Sequence, residues 1–275
     1  MFPYLLIQPS LAATLTVGSS GTYSTISAAI SAAASGDVIT VAAGTYSECI
    51  DTGGKDLDIV GAGSGSTTLN CGGSATNALQ VTGGETVSVS GFTVRNSSLR
   101  GAYITNSSTV DFDDTVFDQL GSTSYSGNAI YADSSTVSIT DSTFDANTGD
   151  DGGAIYLTSS DLTVTDSTFT DNLAYYGGAI YLTTNSTVTD SGSSYEYNYT
   201  YYSGGAVHLT SYSDAAFSSS KFYDNESGSS VGGAIYSYNY TTLDIADTTL
   251  EQNTSYSAGA VSYTHLRAHE TVRNR

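Results

Sequence analysis

Apolar and polar residues alternate along short runs of the chain, and the same runs return at a fixed interval. Ala154-Ile155-Tyr156-Leu157 and Leu162-Thr163-Val164-Thr165 show the period-two pattern of strands, and Gly, Ser, Asp and Asn cluster between such runs. Helix is excluded there. Asn128-Ala129-Ile130-Tyr131, Gly153-Ala154-Ile155-Tyr156, Gly178-Ala179-Ile180-Tyr181, Gly205-Ala206-Val207-His208 and Gly233-Ala234-Ile235-Tyr236 recur about every 25 to 28 residues. Each unit carries a second anchor, an aromatic or apolar residue three before an Asn: Phe144/Asn147, Phe169/Asn172, Tyr195/Asn198, Phe222/Asn225 and Leu250/Asn253. Two anchors per period require at least two strands per coil. A unit this small cannot bury its own apolar face, so copies must stack, and strands stacked in register form a parallel β-solenoid. Alternation then sends Ile155, Leu157, Leu162, Val164 and Phe169 inward and Tyr156 outward into a column of tyrosines. At about 4.8 Å per coil, some eight or nine coils make a rod about 40 Å long. Ile130, Ile155, Ile180, Val207 and Ile235 are expected in one interior stack, with Asn147, Asn172, Asn198 and Asn225 aligned at one turn as a hydrogen-bonded ladder.

The passage before the repeats differs. Thr22 to Ala34 places Ile26, Ile30 and Ala33 at helical spacing, with Ser24 as the expected N-cap, and Asp37 to Tyr46 reads as strand and turn. A helix here would cover the open end of the first coil, which otherwise exposes apolar side chains and unpaired strand edges.

The paired Gly-Gly-Ala-Ile-Tyr and Phe-x-x-Asn motifs, from Ala102 to Ala260, resemble the repeats of the chlamydial polymorphic outer-membrane proteins and related bacterial right-handed parallel β-helix proteins. The segment from Thr22 to Tyr46 resembles the opening of pectin-lyase-like and pectin-esterase-like β-helices. The resemblance implies an all-β fold: a right-handed single-stranded parallel β-helix (solenoid) with a short N-terminal capping helix. It implies little about activity, because these repeats are scaffold.

Both ends depart from the pattern. Residues 1–13 begin Met1-Phe2-Pro3-Tyr4-Leu5-Leu6-Ile7 and end in small residues at Ala12 and Ala13, which reads as a clipped secretory signal, with a weak N-terminal strand as the alternative. Residues 14–48 form the expected cap and first coil, and residues 49–260 the repeats, cut within a sixth Gly-Ala motif. Residues 261–275 match the translation of a transposase-based sequencing-library adapter from Val261 to Thr271. We read that tail as non-biological.

The chain has 7 Lys+Arg against 27 Asp+Glu and a formal charge of −20. Excluding the tail removes Arg267, Arg273, Arg275 and Glu270 and leaves the rest still more acidic. Such a surface repels nucleic acid and anionic headgroups, and no segment is long enough to span a membrane. The expected partners are therefore a glycan or a cell-surface protein, and the expected location is secreted or at the cell surface or outer membrane. Cys49 and Cys71 lie about one coil apart, so a disulfide follows in a secreted chain, with two buried thiols as the alternative.

No residue is assigned a catalytic role. Asp150-Asp151-Gly152-Gly153 is similar to the paired-aspartate motif of polygalacturonases, but the Asn-Thr-Asp-Gly, Gly-His-Gly and Arg-Ile-Lys motifs of that family do not occur here. No cofactor is expected, with Asp150 and Asp151 the candidates for a weak calcium site. Outside the tail the bases are Lys55, Arg95, Arg100 and Lys221, few for a lyase that abstracts a proton next to a uronate carboxylate. Of 22 Tyr, the run Tyr195, Tyr197, Tyr199, Tyr201 and Tyr202 falls where the repeat lengthens. We expect it to present a binding face, although stacked tyrosines also simply shield coil edges. The sequence thus reads as a fragment of a non-catalytic scaffold or adhesin-like binding protein. The alternative is a carbohydrate-active enzyme, a polysaccharide lyase or glycoside hydrolase, which would bring Asp or Glu together with Arg or Lys in one groove.

Overall fold

Apolar residues at every second position, repeated coil after coil, build a right-handed parallel β-helix. The computed structural model describes residues 11–72, 76–121, 123–229, 231–257 and 259–263. Most of the apolar N-terminal stretch and the tail from residue 264, with His265, Leu266 and His269, lie outside the described residues. The strands form three parallel sheets of seventeen, nine and four strands. In the nine-stranded sheet Ile130, Ile155, Ile180, Val207 and Ile235 are direct register partners. All five are fully buried, as are Leu157, Val164 and Phe169, while Tyr156 faces outward. Removing three carbons from the middle of this stack leaves a cavity that neighbouring coils cannot fill. Ile180→Ala should therefore destabilise by about 2 to 5 kcal/mol, read from the midpoint of urea unfolding.

The second anchor fills the other side of the core. Phe117, Phe144, Phe169, Tyr195 and Phe222 are register partners, with ring centroids 5.0, 4.6, 4.8 and 4.6 Å apart and planes within 10° of parallel. Three residues on, Asn147, Asn172, Asn198 and Asn225 form the expected ladder. Each Nδ2 donates to the next Asn Oδ1 at 2.8–3.0 Å and to the carbonyl of an anchor residue in the preceding coil. The residue before each Asn is left-handed: Ala146, Asp171, Tyr197 and Asp224 have φ of 50 to 57°. The Gly-Gly pairs serve two ends. Gly177 has φ +59°, a conformation that favours glycine, and a Cβ on Gly178 would run into the Gly205 carbonyl of the next coil.

Two serine ladders hold the remaining corners, as where Ser135 N donates to Ser160 Oγ at 3.1 Å and Ser160 N to Ser186 Oγ at 3.2 Å. At the N-terminal end a helix, Ile26–Ala32, buries Ile26, Ala29 and Ile30 against the first coils. Its N-cap is Thr25, one residue later than expected. Thr25 Oγ1 accepts from Ala28 N at 3.2 Å, and the Glu48 carboxylate accepts from Ile26 N at 2.7 Å and Ser27 N at 2.9 Å. Ser24 lost that role because a carboxylate from a later turn satisfies the first amides. Lys55 Nζ donates to the Ile30 and Ser31 carbonyls at the other end of the helix. Cys49 and Cys71 are joined by a disulfide, with Cα atoms 4.7 Å apart. Among the described residues no helix is long and apolar enough to cross a membrane.

Candidate binding face

On the outer side of the nine-stranded sheet, Tyr103, Tyr131, Tyr156, Tyr181, His208 and Tyr236 share one register position. Successive ring centroids are 5.3, 5.3, 5.4, 4.9 and 4.9 Å apart. From Tyr131 to Tyr181 the planes are parallel within 6°. Stacking of this kind uses the ring faces inside the column and turns edges and hydroxyls outward, so the column offers a rail of phenols rather than a stacking surface. Burial pushes Tyr156 up to about 12 and raises Tyr131 and Tyr181 as well, so the rail is neutral. His208 is buried, with Nδ1 3.2 Å from Ser203 Oγ, and burial pushes its pKa down to about 4. A neutral imidazole has taken a tyrosine's place in the stack.

Beside the column runs a turn that is itself stacked. From coil to coil it carries Tyr125, then Asp150 and Asp151, then Tyr175 and Tyr176, then Tyr201 and Tyr202. Asp150 N donates to the Tyr125 carbonyl at 2.8 Å, Tyr175 N donates to the Asp150 carbonyl at 2.7 Å, and Asp151 pairs with Tyr176. The pairing of Leu173–Tyr176 with Tyr199–Ser203 is irregular between Ala174 and Tyr176, where the longer coil inserts its extra residue. Such a bulge re-aims side chains. Tyr201 lies 5.2 Å from Tyr175, and Tyr202 lies 5.0 Å from Tyr176, with planes tilted by 40° and 29°. Tyr176 also meets His208 edge-on at 5.3 Å, joining turn and column into one aromatic face.

What covers Tyr201 and Tyr202 is small. Ser229 and Ser227 of the next coil donate to the Tyr201 and Tyr202 carbonyls, and no ring from that coil stacks on either tyrosine among the described residues. The two side chains remain 43% and 45% exposed. Tyr199 belongs to the same turn but is half-buried, with its hydroxyl beneath Gly228.

The expected five-tyrosine face therefore needs correction. Tyr195 is fully buried in the phenylalanine stack, because it holds the inward anchor position three before Asn198; its hydroxyl donates to Asp190 Oδ2 at 3.1 Å. Tyr197 is exposed but sits at the left-handed corner before Asn198, edge-on to Tyr223 at 5.6 Å, away from the aromatic turn. Tyr199, Tyr201 and Tyr202 stay together.

Asp150 is exposed, whereas Asp151 is largely covered by the aromatic face. Burial first, then Asp150, pushes Asp151 up to about 6; Tyr156, Tyr176 and Tyr181 are raised first by burial, with the Asp151 charge adding to it. The two neighbours thus face different surroundings, Asp150 solvent and Asp151 the aromatic face. Among the described residues no three His, Cys, Asp or Glu are grouped to hold a metal ion. A carboxyl raised in the folded state binds its proton more tightly there, so its contribution to stability is present below the ordinary value of 3.8 and is lost as pH rises to about 6. Asp151→Asn should remove that loss: relative to the parent, its urea midpoint should rise between pH 4 and pH 7. An unchanged difference across that range would show Asp151 titrating normally.

The basic residues do not gather. Arg95 pairs with Asp118 at 3.0 Å and is 49% exposed, and Lys221 pairs with Glu196 at 2.8 Å. Asp145, next to Asp118 in register, is raised by burial and by Asp118 and Asp171, so Arg95, Asp118 and Asp145 make one short charged line on the outer face. A cleft at the helix end, lined by Ser24, Thr25, Tyr46 and Glu48, has its carboxylate committed to the helix amides. Sequence reasoning missed the aromatic setting of Arg100 and the buried Asp190. The second had a signal: Asp190 stands in register between the inward Val164 and Phe217, in the coil that replaces Phe with Tyr195.

Residues 77–255 match the family described as right handed beta helix region. The chain belongs to this right-handed beta helix family. No curated protein matches it in sequence. Among solved structures, this β-helix is similar to the PL6 family alginate lyase AlyGC, at 16% identity over 94% of this chain and 40% of that one, TM-score 0.56. It is also similar to ORF18 of Geobacillus virus E2, at 12% identity over 88% of this chain and 56% of that one, TM-score 0.47. Pectin methylesterase PemA from Erwinia chrysanthemi matches at 11% identity over 91% of this chain and 81% of that one, TM-score 0.47. The chain spans about half the length, or less, of the first two. At these identities the likeness is one of fold.

Proposed function

We propose that this β-helix is a non-catalytic binding rod of a secreted or cell-surface protein, and that it engages a glycan along the aromatic turn. The observation that carries this reading is the pair Tyr201 and Tyr202, exposed above Tyr175 and Tyr176, where the described residues of the next coil that lie against them are the small Ser227, Gly228 and Ser229. Rigid tyrosines give large contact area at little entropic cost, and the adjoining phenol rail supplies hydrogen bonds to hydroxyls. The disulfide supports an oxidising location. A second reading, a polysaccharide-cleaving enzyme, is favoured by the line Arg95, Asp118, Asp145 together with the fold shared with AlyGC. Incubation with alginate, polygalacturonate and methyl-esterified pectin, with and without calcium, separates the two. We expect no unsaturated product, no new reducing ends and no methanol; turnover abolished by Asp118→Asn would establish the second reading instead.

A further inference from the structure

Arg100 is the exception among the described bases. Lys221 and Arg95 have carboxylates, and Lys55 has two helix carbonyls, but Arg100 has no ion pair among the described residues. Its Nε donates to the Ser126 carbonyl at 3.0 Å, and its terminal nitrogens have no hydrogen-bond partner among the described residues. The guanidinium lies 4.5 Å from the Tyr131 ring centroid, 5.4 Å from Tyr103 and 5.6 Å from Tyr125, at the foot of the tyrosine column. Tyr125 is 40% exposed, so the site opens to solvent on the side of the aromatic turn. Three rings and one backbone bond fix the orientation of a planar cation that no carboxylate among the described residues pairs with, in a chain with 27 acids.

We propose that Arg100, held by Tyr103, Tyr125 and Tyr131, is a recognition site for a single carboxylate presented by a ligand. The free edge of the guanidinium offers parallel N–H donors, which match the two oxygens of a carboxylate. The surrounding charge sets the selectivity. A body of formal charge −20 repels polyanions at long range, whereas one carboxylate docked on a half-buried guanidinium is screened far less. Added salt weakens the distant repulsion more than the contact, so binding should hold or strengthen between about 0.02 and 0.15 M salt, opposite to an ordinary basic patch. The site stands on its own residues, independently of glycan stacking at Tyr201 and Tyr202.

The test is titration of the full chain, observed at the Arg100 Nε–H by nitrogen-15 NMR. The probes are glucuronate, glucose, sulfate, and a dipeptide with a free or amidated C-terminus. Glucuronate or the free dipeptide should shift the Arg100 signal, and the more potent of the two assigns the carboxylate to a sugar or to a peptide end. Glucose and the amidated dipeptide should leave the signal alone. Loss of two charge-assisted hydrogen bonds in Arg100→Gln should weaken carboxylate binding about tenfold or more, and Arg100→Lys should not restore it. If Arg100→Gln misfolds by circular dichroism, Tyr125→Ala, which removes the exposed ring, should weaken binding severalfold. Equal affinity of parent and variant, equal response to glucose and glucuronate, or sulfate binding tighter than both carboxylates would overturn the proposal. Glucuronate binding without any neutral-glycan binding would leave it standing while removing the aromatic-turn reading.

Discussion

Asn172→Ala should be among the most destabilising single substitutions in this chain, costing about 3 to 6 kcal/mol as the sum of several orphaned buried groups. The Asn172 Oδ1 accepts from Asn147 N at 3.0 Å and Asn147 Nδ2 at 3.0 Å, while its Nδ2 donates to the Phe144 carbonyl at 3.0 Å and Asn198 Oδ1 at 2.9 Å. Alanine withdraws all four bonds, in a position where neither Asn147 nor Asn172 has any exposure to recruit water. Asn185, in an exposed turn with φ 58°, provides the control: its glycine variant, which keeps the left-handed backbone, should lie within about 1 kcal/mol of the parent. Urea unfolding of the two variants checks the contrast. Because coils interact only with neighbours, the loss at Asn172 should also split the transition, with the flanking coils melting separately.

Asp190 and Tyr195 should behave as one unit. Asp190 is 1% exposed, and its carboxyl is held by Tyr195 and Ser220 hydroxyls in a core otherwise lined by Val164, Phe169, Phe217 and Phe222. Tyr195→Phe bares one carboxylate oxygen, and Asp190→Val leaves the Tyr195 hydroxyl without its acceptor; each should cost about 1 to 3 kcal/mol. The double variant recreates the Val164 and Phe169 pairing of the preceding coil, so it should be as stable as the parent or more so by about 1 to 4 kcal/mol. Burial raises the Asp190 pKa, opposed by its hydrogen bonds to Ser220, Ser193 and Tyr195. The folded state therefore holds this proton more tightly than the unfolded chain. Stability from Asp190 is present below the ordinary carboxylate range and is lost as pH rises through the raised value, so the advantage of the double variant should grow with pH. Additive losses in the two single variants and their combination, measured by urea unfolding at pH 4 and pH 7, would contradict the coupling.

Most of the fold was legible because stacking imposes one rule on every coil. Ile155 and Ile180, Phe144 and Phe169, and Asn147 and Asn172 keep both spacing and chemistry, so register could be read from residue identity. The outward Tyr156 was equally plain from alternation. The binding face was legible only in part. Tyr195 and Tyr201 are alike as residues, and what separates them is the left-handed Tyr197 and the irregular pairing near Tyr176, which reset alternation between them. The local run of tyrosines outweighed an anchor position that the repeat had already marked. Arg100 was legible as a scarce base, but its three aromatic neighbours come from positions 103, 125 and 131 on two successive coils. Glu48 escaped notice for the same reason, since it caps a helix from more than twenty residues away.

The most direct measurement is equilibrium binding of immobilised neutral glycans to the parent and to a Tyr201→Ser, Tyr202→Ser variant, with thermal unfolding of both as the control for fold. Both side chains are exposed, so the unfolding midpoint should move by no more than about 2 °C. The parent should bind at least one glycan without consuming it, and the variant should bind it about tenfold more weakly or worse. Equal binding by the two proteins, or turnover of the bound glycan, would contradict a non-catalytic rod that binds through its aromatic turn.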